Sequence, residues 1–145
     1  MRIPIRHLDP DLALPAAAHP GDAGLDLRAR EALVLTPGGG RAAVPTGIAL
    51  AIPEGFCGLV LPRSGLALRH GVTCLNAPGL IDSGYRDEVR VILVNHDPAQ
   101  PFEVNRGDRI AQLVITRAEA VEWVVVDDLE TSTRGTGGFG STGRE

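Results

Sequence analysis

Three stretches of this 145-residue chain bring reactive or ligand-binding side chains close together. In Pro62-Arg63-Ser64-Gly65 a guanidinium and a hydroxyl stand at the start of a short helical segment. Free backbone N–H groups and the positive end of a helix dipole meet there, which suits an anion and above all phosphate. A capped helix with a surface arginine accounts for the same four residues. In the second stretch, Asn76 to Glu88, Gly79 and Gly84 bracket Ile81-Asp82 and suggest a hairpin with the Asp82 carboxylate near a turn. Such a carboxylate can orient and deprotonate a water, a role worth about 10²–10⁴-fold in rate. An Asx-type turn uses the same residue without catalysis. Tyr85, the only tyrosine, can be a flat wall for a sugar or base, or a half-buried strand residue. The third stretch is the glycine-rich end from Thr131, where Arg134, Ser141 and Thr142 can hold phosphate and Phe139 can stack on a base. Composition alone favours a mobile tail. A lid that orders on its ligand must offset lost backbone entropy with ligand contacts.

The elements that must position these residues are short. Eighteen glycines and eleven prolines cut the chain into brief aliphatic runs. Leu33–Leu35, Gly47–Ile52, Cys57–Leu61, Val89–Asn95, Arg109–Ile115 and Val121–Val126 read as strands, a pattern that predicts an all-β barrel or sandwich. Ser64 to Gly71 reads as the one helix, with Ser64 capping its start, Gly71 ending it, and Arg69 and His70 at the end the dipole favours for positive charge. Asp9 to Pro20 reads as an irregular loop, because Pro10, Pro15 and Pro20 interrupt its alanines.

Composition narrows the class of function. Aromatic residues are only 3%, so the core must be aliphatic. A net charge of −4 with no basic tract argues against nucleic acid as a partner, but leaves room for a compact phosphate ligand. Cys57 and Cys74 form no CxxC, which suits a reducing cytoplasm. Met1-Arg2-Ile3-Pro4-Ile5 lacks the apolar region of a signal peptide, and no run reaches transmembrane length, so no membrane partner is expected. His7, His19, His70 and His96 are scattered and argue against a zinc or iron site. There is no GxxxxGK[ST] and no GxSxG, and Gly38-Gly39-Gly40 reads as an isolated turn.

Read together, the loaded stretches resemble the trimeric dUTPase family over nearly the whole chain. Five segments carry the resemblance in order: Ala23-Gly24-Leu25-Asp26-Leu27-Arg28-Ala29, Pro62-Arg63-Ser64-Gly65-Leu66-Ala67, Gly79-Leu80-Ile81-Asp82-Ser83-Gly84-Tyr85-Arg86, Arg106-Gly107-Asp108-Arg109-Ile110-Ala111-Gln112-Leu113, and Arg134-Gly135-Thr136-Gly137-Gly138-Phe139-Gly140-Ser141-Thr142-Gly143. One such motif is weak; five in order are specific.

The resemblance implies a jelly-roll-type β-barrel over residues 1–130 and a flexible arm over residues 131–145 that closes over the active site. It implies a homotrimer with active sites between subunits, each closed by the arm of a third. The implied reaction is hydrolysis of dUTP to dUMP and pyrophosphate, which limits uracil in DNA and supplies dUMP for dTTP synthesis. Asp82 matches the catalytic aspartate that activates water for attack at the α-phosphorus. Tyr85 matches the aromatic residue under the deoxyribose, where no room is left for a 2′-hydroxyl. Asn76, with backbone groups of Leu80 and Ile81, matches the uracil-pairing positions, Ser83 and Gly84 complete that loop, and Arg90 stands near the far end of the base pocket. Arg63, Ser64, Gly65 and Gln112 match phosphate-binding positions. Arg134 resembles the arm arginine on the γ-phosphate and Phe139 the lid over uracil, with Gly140, Ser141 and Thr142 adding contacts. Asp26 is given a supporting role, positioning the closed arm through Arg134. The family uses Mg²⁺, expected here on phosphate oxygens and waters with no protein ligand.

Two positions depart from the family pattern. Asp87 stands where glycine is common, and Thr142 replaces a frequent serine while keeping the hydroxyl. Two other readings share the fold: a dCTP deaminase or bifunctional relative, and a non-catalytic nucleotide sensor. The Pro-Arg-Ser-Gly-Leu-Ala form and Phe139 favour dUTP hydrolysis over the first, and Asp82 over the second.

Overall fold

Glycines and prolines at the run ends hold every strand to nine residues or fewer. The computed structural model describes residues 1–138. In chain order the elements are β1 (Ile5–His7), β2 (Leu25–Arg28), β3 (Leu33–Leu35), β4 (Gly40–Pro45), β5 (Ile48–Leu50), β6 (Phe56–Pro62), α1 (Ser64–His70), β7 (Val72–Cys74), β8 (Gly79–Ile81), β9 (Arg90–Asn95), β10 (Phe102–Val104) and β11 (Arg109–Arg117). The pairing is antiparallel throughout. One sheet runs β2-β11-β6-β8, a second runs β4-β9-β7, and two ribbons pair β1 with β5 and β3 with β10. This is the all-β, jelly-roll-type arrangement, in four hydrogen-bonded sheets rather than one closed cylinder.

Between the sheets lies an aliphatic core. Leu27, Val44, Val72 and Val91 are fully buried, with Leu35, Leu93, Ile110 and Leu113 close to it. Phe56 and Phe102 only flank this cluster. The low aromatic content is thus met by branched aliphatics, which suit the pleated surface.

The expected strands at Leu33–Leu35, Cys57–Leu61, Val89–Asn95 and Arg109–Ile115 are present with shifts of up to two residues, and Gly47–Ile52 shortens to β5. Residues 121–126 are not a strand: Trp123 is 86% and Val125 96% exposed, and among the described residues the segment joins no sheet. Strand propensity without a neighbouring ladder leaves backbone groups to water.

Two local expectations change. Ser64 is the first helical residue rather than the cap; Arg63 takes the capping position in extended conformation (φ −89°, ψ 124°), with no side-chain cap bond. Gly71 ends the helix in the left-handed region at φ 63°, its N–H donating to Ala67 O at 3.1 Å. Asp82 does not sit in a hairpin either. β8 pairs with β6, whereas β9 pairs with β4 and β7, so residues 82–89 cross from one sheet to the other. The crossing starts with a turn in which Tyr85 N–H donates to Asp82 O at 3.1 Å.

Candidate active site

The period of two in β8 decides what its residues can offer. Ile81 turns into the core at 7% exposure while Leu80 is 62% exposed, so Ile81 reaches a ligand only through its backbone. Asn76, Leu80, Asp82, Tyr85 and Arg90 line a cleft of about 320 Å³, together with Ala43, Val89 and Ile92. The carboxylate of Asp82 is open to solvent at its edge, Ser83 is half-buried and Gly84 exposed. Tyr85 is an exposed loop residue whose hydroxyl donates to Glu88 O at 3.0 Å, which fixes the ring as a wall.

Under this cleft lies a buried carboxylate that the sequence did not single out. Glu88 accepts from Gly47 N–H at 2.8 Å and from Arg30 at 3.3 Å through Oε1, and its Oε2 lies 3.9 Å from Arg90. Arg30 also meets Asp9 at 3.4 Å, and Asp9 receives both ends of the Arg106 guanidinium. The hydrogen bond from Arg106 is the main reason the Asp9 pKa falls to about 2. The chain Arg106–Asp9–Arg30–Glu88 ties the irregular loop after β1 to the cleft floor.

A second cluster stands on β2 and β11. Asp26, 7% exposed, is 3.0 Å from Arg109 and 3.6 Å from Arg63, and the Gln112 amide lies at its limit of reach, 3.5 Å. Arg63 also donates to Arg109 O at 2.8 Å. Strict alternation would put Arg109 and Gln112 on opposite faces of β11. The register with β2 slips between Arg109 and Ala111, and this bulge turns both side chains to one carboxylate. Gly24 completes the arrangement, because a Cβ there would lie 2.9 Å from the Gln112 amide nitrogen. Two guanidinium groups sharing one carboxylate leave a net positive face beside Ser64 and Gly65, which suits a polyanion.

Asp82 and the cations lie toward opposite ends of β6, with Leu80 opposite Leu59 in between. Ile81 stands opposite Gly58, and Asp82 lines a cavity with Phe56 and Cys57. Arg63 follows the other end of the strand, and from Cys57 to Arg63 an extended chain covers about 20 Å at roughly 3.3 Å per residue. Arg134 donates to Gly137 O at 2.8 Å in its own tail, and Asp26 meets Arg63 and Arg109. Phe139, Gly140, Ser141 and Thr142 lie outside the described residues.

Arg109 and Glu88 are the site residues that sequence reasoning missed. Arg109 falls within a recognised motif, but only the bulge reveals its direction. Among the described residues, no three His, Cys, Asp or Glu side chains gather to hold a metal ion, and no helix is long and apolar enough to cross a membrane.

Comparison with known proteins points to one family. The family model described as dUTPase matches residues 11–143. A deoxyuridine 5'-triphosphate nucleotidohydrolase of Thermobifida fusca is 60% identical over 99% of this chain and 79% of its own length. One of Gloeobacter violaceus is 55% identical over 99% of this chain and 97% of its own. Among solved structures, the Staphylococcus bacteriophage 80alpha dUTPase with dUPNHPP superposes with a TM-score of 0.87 at 29% identity, covering 98% of each chain. A dUTPase from phage phi11 of S. aureus, described with a structural Mg(II) ion, gives a TM-score of 0.79 at 26% identity over 90% of this chain and all of that one.

Proposed function

The chain belongs to the dUTPase family, and we propose from that premise that it hydrolyses dUTP to dUMP and pyrophosphate at a site assembled from more than one copy. The observation that carries the reading is Asp82, solvent-open at the edge of the cleft that Asn76, Leu80, Tyr85 and Arg90 line. The Asp82 carboxylate takes a proton from a water, the water oxygen bonds to the α-phosphorus, and the bond to the bridging oxygen breaks to release pyrophosphate. Asn76 and the backbone of Leu80 and Ile81 pair with the uracil edge, Ser83 and Gly84 shape the loop, and Arg90 closes the far end. The Tyr85 ring lies under the deoxyribose, held by its bond to Glu88 O. A 2′-hydroxyl would then meet a wall that cannot move aside.

Arg63, Ser64, Gly65 and Gln112 hold the phosphate chain, with Arg109 beside them and Asp26 orienting the cations. The separation of about 20 Å along β6 supports the assembly. A nucleotide whose α-phosphorus lies at Asp82 has the same chain's cations at the far end of β6, whereas a neighbour's cation face can be brought to it. A homotrimer with three such interfaces satisfies every copy. The domain reading goes with it: a unit of residues 1–130, whose strands end at Arg117, carries an arm of residues 131–145, whose Arg134, Phe139, Gly140, Ser141 and Thr142 cover a site on neighbouring copies, with Arg134 reaching Asp26.

Mg²⁺ fits this donor set only through the substrate. The phosphate face presents guanidinium groups and one carboxylate they already engage, so a hard cation would be held by phosphate oxygens and water. Bound there, it supplies neutralisation of the phosphate charge. The two free, buried cysteines are in keeping with a cytoplasmic setting.

The test is a substrate panel with Mg²⁺: dUTP, UTP, dTTP and dCTP, followed for pyrophosphate and ammonia. Pyrophosphate from dUTP far above the other three is the expected result. Ammonia from dCTP would replace this reading with deamination.

A further inference from the structure

The cations of the phosphate face differ in how far they are committed. Of these, Arg63 and Arg109 are engaged by the Asp26 carboxylate within 4.0 Å. Among the described residues Arg69 has no such carboxylate and makes no hydrogen bond through its guanidinium. It is nevertheless aimed. From the last turn of α1 its side chain folds back along the helix, so that a Cβ on Gly65 would lie 2.9 Å from one guanidinium nitrogen and 3.4 Å from its carbon. Long side chains on a helix lean toward its N-terminus, and residues four apart share a face. The missing side chain at Gly65 gives the guanidinium its resting place, as the missing one at Gly24 does for Gln112.

We propose that Arg69 is an additional phosphate-binding residue, the uncommitted cation that meets the distal part of the triphosphate at Gly65. This rests on the proposed placing of the phosphates at Arg63, Ser64 and Gly65. Arg63 and Arg109 already share Asp26, so a ligand gains only part of their charge. Arg69 breaks no ion pair on turning to a phosphate. It is exposed before the ligand arrives, and once a neighbouring copy and the triphosphate cover it, its attraction is screened less than on an open surface. A guanidinium also offers two parallel N–H groups to one phosphate, which an ammonium cannot.

The experiment compares the parent chain with Arg69→Gln, Arg69→Lys and the remote charge control Arg41→Gln, whose arginine is exposed on β4. Each is measured for binding of dUMP and of the non-hydrolysable α,β-imido analogue of dUTP, for KM and kcat with dUTP, and for Tm. Arg69→Gln should weaken the imido analogue roughly 5- to 20-fold, the range of a charge-assisted hydrogen bond at an initially exposed site. The loss should appear in KM, with dUMP affinity within about twofold because it lacks the distal phosphates, and Arg69→Lys should recover part of it. Arg41→Gln should change neither ligand. Unchanged affinity of Arg69→Gln for the imido analogue overturns the proposal. So does an equal loss for dUMP, or a loss matched by Arg41→Gln, which would make the effect one of overall charge. A lowered Tm with equal losses of both ligands would assign Arg69 to folding instead. A parent that fails to hydrolyse dUTP overturns the family reading itself, and this inference with it.

Discussion

The cleft proposed for the nucleoside and the face proposed for the phosphates are each built over one buried carboxylate, and the two carboxylates are used in opposite ways. Glu88 is spent inward: it holds Gly47 N–H and Arg30 and leaves its backbone carbonyl to fix Tyr85. The cleft above it offers a ligand backbone groups, the Asn76 amide, one ring, and the two opposite charges of Asp82 and Arg90. Asp26 is spent outward: it gathers Arg63, Arg109 and the Gln112 amide from three directions and aims them at one surface. A base is chosen by shape and a few directional hydrogen bonds, and a triphosphate by converging charge. Fixing the backbone serves the first purpose and fixing the cations serves the second.

Substitutions can break each half separately. The largest effect is expected at the reacting group. Asp82→Asn should lower kcat by about 10²–10⁴-fold while the imido analogue binds within a few-fold of parent. Turnover at the parental rate would remove Asp82 from the reaction. Deleting residues from Arg134 onward should cut turnover on the order of 10²-fold, with the number of copies in the assembly and its Tm little changed, if the arm acts on the bound ligand as proposed. Undiminished turnover would reduce the arm to a linker.

The two carboxylates should then part company. Asp26→Ala leaves two guanidinium groups without their counter-charge. Breaking a buried pair costs about 3–5 kcal/mol, and partial exposure of both arginines reduces this to roughly 1–3 kcal/mol. Its signature should be a raised KM for dUTP with dUMP little affected. In the cleft, Tyr85→Phe removes one hydrogen bond, about 1 kcal/mol, or roughly fivefold in kcat/KM, and should narrow the preference for dUTP over UTP. A change confined to the phosphate-dependent part of binding would contradict the division.

The smallest effect concerns the support beneath the cleft. The Asp9 pKa is depressed to about 2, chiefly by the hydrogen bond from Arg106. A depressed carboxylate stabilises the fold above its unfolded pKa, about 3.8, and loses that contribution as pH falls toward 2. Urea unfolding between pH 5 and pH 2 should therefore show a shallower loss of stability in Asp9→Asn than in the parent. Parallel curves would mean that the Arg106 pair contributes nothing.

Much of this was legible in the sequence, and the rest was hidden for specific reasons. The aliphatic runs at Leu33–Leu35 and Cys57–Leu61 announced strands because period and punctuation agree locally. The strand expected at Val121–Val126 has the propensity but no partner ladder among the described residues, and propensity cannot supply one. Six of the residues expected at the site do meet in one cleft, because β8 and the crossing loop are close in sequence. Arg109 was missed because a bulge, invisible to a period of two, turns it beside Gln112. Glu88 was missed because its partners Gly47 and Arg30 lie 41 and 58 residues away. The opposite placement of Arg63 and Asp82 on β6 depends on pairing register, which the motifs do not encode.

The central claim is that the cleft of one copy works with the cations of another, and it can be tested by mixing two disabled chains. Asp82→Asn and Arg63→Gln are each expected to be poor enzymes alone. Co-expressed as a mixed assembly, they should form some sites with an intact cleft from the Arg63→Gln chain and an intact cation face from the Asp82→Asn chain. Random association then restores roughly a quarter of parental dUTP hydrolysis per site. Activity no greater than the sum of the two variants measured separately would contradict the account, because it would place both halves of the site within a single chain.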